Sequence, residues 1–109
     1  MTNMLTQVSL MNTRDRKKGV ASSINALGIN PAKNKDVLIK PNFNTADTTP
    51  GSTHNDTLVA LVWEIWNMGA KSVSLGERSY PPTREVMAAK GIVPLLKKLD
   101  VQISAQTDR

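Results

Sequence analysis

Residues 37–44 read Val37-Leu38-Ile39-Lys40-Pro41-Asn42-Phe43-Asn44. Three consecutive apolar residues are the mark of a short strand buried on both faces of a parallel sheet. The run then breaks at a lysine, a proline and an asparagine. In open α/β sheets ligands bind outside the carboxyl ends of the strands, so this polar exit is where a site is expected.

The flanking residues supply the connections that a parallel strand needs. Upstream, residues 4–11 (M-L-T-Q-V-S-L-M) alternate loosely and are expected to form a first strand. Asn12 or Thr13 is expected to cap a helix, with Asp15 in its first turn and Val20, Ile24 and Leu27 as its apolar stripe. Gly28 and Asn30-Pro31 stop it. Downstream, residues 42–55 form a polar loop, long for an α/β connection and of the kind that carries function. Thr53 and Asp56 have the spacing of a capping box. They open a helix over 56–68, which Gly69 closes.

On that helix Asp56, Thr57, Ala60, Glu64 and Asn67 share one narrow arc and apolar residues fill the rest. Trp63 and Trp66 sit at the edge of the broad apolar face. Either a neighbouring helix of the same domain or a partner subunit or further domain is expected to cover them. Residues 71–76 read as a strand and 77–82 as a loop at its end. Thr83 caps a helix running to Lys90, Gly91 closes it, a turn or two of helix with Pro94 near its start follows, and residues 101–104 form a last strand. Strands alternating with helices predict an α/β fold: a three-layer sandwich with a mostly parallel sheet of about four strands and helices on its faces, one domain over residues 1–109.

Composition narrows the function classes. The chain has no cysteine, which excludes disulfides, thiolate metal or iron–sulfur ligation from its own residues, and a cysteine nucleophile. His54 is its only histidine, so no histidine cluster exists and no metal site is expected. No apolar run is long enough to span a membrane and no signal peptide is apparent, so a cytoplasmic location is expected. The net charge of +5 is uneven: residues 1–40 hold seven bases and two acids, residues 41–109 seven of each. With no recognised motif and no aromatic residue within it, that basic third reads as solvated surface before it reads as a nucleic-acid interface.

Two strand exits, 40–42 and 77–79, should lie side by side on one rim, because neighbouring strands are only about 4.8 Å apart. Lys40 offers a cation, or an amine that desolvation would turn into a base. Asn42 donates and accepts, Glu77 and Arg78 bring both charges, and Ser79 adds a hydroxyl. A plain Lys40–Glu77 ion pair is the competing reading. Residues 51–55 (G-S-T-H-N) precede a helix start, where N–H groups favour an anion and Ser52, Thr53 and His54 can add donors. The glycine-rich phosphate loop and the dinucleotide fingerprint are both absent. The candidate catalytic residues are therefore Lys40, His54 and Glu77; the candidate ligand-binding residues are Asn42, Ser52, Thr53, Arg78 and Ser79.

Taken together, T-R-D-R-x-x-G-V from Thr13, V-L-I-K-P-N from Val37, P-G-S-T-H from Pro50 and M-G-A-K-S-V-S-L-G-E-R-S from Met68 resemble the domain-of-unknown-function 362 family, over about residues 13–103. The resemblance implies an α/β domain of unestablished activity. Members are usually longer and many carry a cysteine-bearing iron–sulfur segment, so this chain is expected to correspond to the N-terminal part of a family domain, with its cofactor unknown. Three functions follow as expectations. The first is binding of a small anionic metabolite at the strand ends, as part of an acid–base enzyme. The second is a non-catalytic accessory or interaction module of an iron–sulfur redox protein. The third is nucleic-acid binding through the basic N-terminal third.

Overall fold

The computed structural model describes residues 5–43, 53–77 and 83–105. Its elements run α1 (Arg16–Asn25), β1 (Asp36–Ile39), α2 (Asn55–Asn67), β2 (Ser72–Glu77), α3 (Thr83–Lys90), α4 (Val93–Lys98) and β3 (Gln102–Ala105). The three strands form one parallel sheet in the order β1-β2-β3, with Ile39 opposite Leu75 and Leu75 opposite Ile103. The α/β class and the parallel sheet are as the sequence predicts.

The expected first strand is not formed. Residues 5–11 carry no strand, and Leu5, Val8 and Leu10 are 86%, 84% and 93% exposed. Their loose alternation meets no hydrogen-bonding edge, so β1 is an edge strand. This also changes the reading of the Val37-Leu38-Ile39 run. Ile39 is buried and Val37 half-buried, but Leu38 is 65% exposed. Only one face of β1 is covered.

That face is the helical one. Val73, Leu75 and Ile39 of the sheet, with Val101 just before β3, form a single core cluster with Leu58, Val62 and Ile65 of α2, Val86 and Met87 of α3, and Leu96 of α4. Of the three layers expected, the described residues supply two, the sheet and one layer of helices. Within this layer α1 and α2 run in the same direction. Arg14 to Lys17 share a groove with Asp56 and Trp63, while Ile24 and Leu27 share another with Ile65 and Met68. Both helices therefore start at the carboxyl rim of the sheet.

Local chemistry explains the boundaries. Asp15, not Asn12 or Thr13, caps α1: its Oδ1 accepts the Lys18 N–H at 3.1 Å. The Thr13 hydroxyl is already committed, accepting the Asp15 N–H at 3.0 Å and donating to the Asp15 carbonyl at 2.9 Å. Gly19 is required beneath this turn, because a Cβ there would collide with the Thr13 methyl. Three helices end in the same paired pattern, with two N–H groups reaching back to orphan carbonyls. Gly69 and Ala70 bond to Trp66 and Ile65, Gly91 and Ile92 to Ala88 and Met87, and Asp100 and Val101 to Lys97 and Leu96. Each reversal needs a left-handed residue, supplied by Gly69 (φ 90°), Gly91 (φ 67°) and Asp100 (φ 60°). The Asn30-Pro31 stop also ties the end of α2 to the loop between α1 and β1: the Asn30 amide donates to the Met68 carbonyl at 2.8 Å and accepts from Ala32 and Lys33.

Candidate functional site

The exit of β1 keeps the strand's alternation for four more residues. Ile39, Pro41 and Phe43 are buried, and Lys40 and Asn42 between them are exposed. An extended chain turns successive side chains to opposite sides, so one set of residues pins the segment and the other is presented. Phe43 is the anchor. It is fully buried, and the Lys90 ammonium at the end of α3 lies 4.8 Å from its ring centroid, within cation–π range. The sequence reading took Phe43 for part of a polar loop; its spacing of four from Ile39 was the available signal.

Asn42 then meets the segment that leads into α2. The Asn42 N–H donates to the Thr53 hydroxyl at 2.9 Å and the Thr53 N–H donates to the Asn42 carbonyl at 2.9 Å. This reciprocal pair clamps the end of β1 to the start of α2. It also corrects the capping box: with its hydroxyl used by Asn42, Thr53 stands one residue outside the helix. The cap is His54, whose Nδ1 accepts the Asp56 N–H at 3.0 Å. With Nδ1 accepting this bond, Nε2 is the ring nitrogen that carries the N–H. The ring is about one-third exposed, and Asp56 Oδ2 lies 3.9 Å from Nδ1.

Asn55, the first residue of α2, donates from its amide to the Lys90 carbonyl at 2.7 Å, while its buried Oδ1 has no hydrogen-bond partner among the described residues. Such a group is a place where a donor, from water or ligand, is wanted.

The structure thus brings Asn42, Thr53 and His54 together at one point of the rim, with Lys40 two residues before the clamp. Lys40 continues the pleat of Leu38, the side away from the helices, whereas His54 starts α2 on the helical side. The two approach the rim from opposite faces of the sheet. The Glu77 backbone ends β2 beside β3, two residues past the Leu75–Ile39 pair. Its side chain, and Ser52, Arg78 and Ser79, lie outside what is described, as does the Lys40–Glu77 pairing.

The two tryptophans part company. Trp66 is half-buried and its indole N–H donates to the Leu99 carbonyl at 2.9 Å, so the end of α4 covers it. Trp63 is 51% exposed, on a groove between α1 and α2 whose other wall carries Arg14, Arg16 and Lys17. Ala60, expected on the polar arc, is buried. The packing of α1 along α2 accounts for it, because part of that arc faces α1 rather than water.

Among the described residues no group of three or more histidines and carboxylates could hold a metal ion. No described helix is long and apolar enough to cross a membrane.

These features define a class: an α/β domain with a parallel sheet whose carboxyl rim is shaped by a clamp between a strand exit and a helix start. Comparison with known families then places the chain. The profile of the family described as Domain of unknown function (DUF362) matches residues 37–109, beginning at the first apolar residue of β1. The chain belongs to that family. No curated protein matches it, and no solved structure does.

Proposed function

We propose that this chain binds a small anionic metabolite at the carboxyl rim of its sheet, with Lys40 and His54 as the groups that meet it, in the setting of an acid–base reaction. The observation that carries this reading is the Asn42–Thr53 clamp. It holds the exit of β1, with Lys40, against the start of α2, with His54 as its cap, so that a lysine and an imidazole stand near one rim. The helix start and its dipole favour negative charge. The imidazole adds a directed hydrogen-bond donor at Nε2. Glu77, Arg78, Ser79 and Ser52 complete the proposed set by their places in the sequence.

Isothermal titration with inorganic phosphate and with succinate tests it. Lys40→Ala is expected to weaken binding by about tenfold, the order of one charge-assisted hydrogen bond. Thr53→Val, which removes the hydroxyl that accepts the Asn42 N–H and so opens the clamp, is expected to weaken it by a smaller factor. Unchanged affinity in a folded Lys40→Ala variant contradicts the reading.

A second reading, a non-catalytic interaction module, draws on the exposure of Trp63 and Leu38. It requires that these side chains become protected in a complex, which hydrogen exchange and tryptophan fluorescence would report.

A further inference from the structure

The groove between α1 and α2 lies outside the Lys40–Thr53 clamp and has chemistry of its own. It is an open groove of about 520 Å³, inside the size range of small-molecule sites. One wall is the basic start of α1, with Arg14, Arg16 and Lys17, all exposed. The other is a stripe of α2. Asp56 and Trp63 are seven residues apart on that stripe, two helical turns or about 10 Å, and so face the same way.

An exposed indole is costly to leave in water, and here it has cations for neighbours rather than apolar cover. A flat ring can stack on it. The Asp56 carboxylate, its side chain 72% exposed, can accept from hydroxyls. Asp15 is already committed to capping α1. The three cations then suit a phosphate. We propose that this groove binds a nucleoside monophosphate: base on Trp63, sugar hydroxyls on Asp56, phosphate on Arg14, Arg16 and Lys17. Two carboxylates among the five charges of the lining disfavour a long polyanion, so a single nucleotide is favoured over a strand.

The test is calorimetric titration of the intact chain with adenosine monophosphate at low and high salt. Adenosine, inorganic phosphate and a ten-residue oligothymidylate are the comparison ligands. The monophosphate is expected to bind more tightly than either of its halves, and more weakly as salt rises. Trp63→Ala and Arg16→Gln are each expected to weaken it by about tenfold, the scale of one stacking or one charged contact. Lys40→Ala, outside the groove, is expected to leave it unchanged, which separates failure here from failure at the rim. The Trp66 indole N–H resonance reports that each variant is folded, because Trp66 is bonded within the core edge. The proposal is overturned by absence of binding at low salt, by full affinity in folded Trp63→Ala, or by an oligonucleotide binding more tightly per site than the monophosphate.

Discussion

His54 does two jobs that can be separated at the level of single atoms. Nδ1 holds the helix cap through the Asp56 N–H, and Nε2 is the nitrogen proposed to meet an anion. His54→Ala removes both, and loss of a cap costs about 1 kcal/mol of stability. Asn is among the best capping residues, so His54→Asn should restore most of that stability without restoring the imidazole. Chemical denaturation checks the first expectation, and anion titration of the same two variants checks the second. If both variants are equally destabilised, the cap is not made by the side chain. The sequence pointed to this helix start but chose Thr53 for its cap. It could not show that Asn42, eleven residues earlier, claims the Thr53 hydroxyl. Long-range competition for a hydrogen-bonding group is invisible to local spacing. The same is true of Asp15, which caps α1 because Thr13 is spent on the turn before it.

At the scale of elements, helix ends were the most legible feature. Gly69 and Gly91 stand where their sequence positions put them, because few other residues accept a positive φ without strain. Asp100 shows the limit of that rule. It closes α4 by the same hydrogen-bond pattern, at φ 60°, with a Cβ that glycine lacks. Asp100→Gly is therefore expected to stabilise the domain, by up to about 1 kcal/mol, as a rise in thermal midpoint. A fall would mean that the Asp100 side chain makes a compensating contact. Strands were less legible. β2 and β3 fall within a residue of the expected bounds, but the sequence assigned a further strand to residues 4–11 on alternation alone. Alternation predicts which side chains share a face; it does not supply an edge to pair with. Phe43 was missed for the opposite reason: a single aromatic among polar neighbours leaves little pattern, although it continues the Ile39–Pro41 alternation.

For the whole molecule, the described residues give a sheet with one covered face and an edge strand, β1, at whose end the proposed site lies. Leu5, Val8 and Leu10 contribute almost no burial, while Phe43, Leu58, Leu75, Met87, Ile92 and Leu96 are fully buried. Hydrophobic stabilisation follows area removed from water. Deleting the chain up to Met11 should therefore leave the unfolding free energy within about 0.5 kcal/mol of the intact protein, the scatter of surface changes. A large loss would show that this segment packs against the sheet in solution. The parallel α/β architecture was readable from the order of elements, since strand–helix–strand units favour one handedness. Among the described residues the helices stand on one face of the sheet, and what covers the other face is not specified by any local pattern. The basic third of the sequence takes on a definite place: Arg14, Arg16 and Lys17 gather on the α1–α2 groove, while Lys40 stands at the end of β1.

The central claim is that the clamp between Asn42 and Thr53 builds an anion site at the rim. Amide chemical-shift mapping of the ¹⁵N-labelled chain during titration with inorganic phosphate tests it most directly. The account predicts saturable shifts concentrated at residues 40–42 and 53–56, reduced together in Lys40→Ala. Shifts that spread over exposed lysines such as Lys97 and Lys98 without saturating, and leave residues 53–56 unmoved, would contradict it.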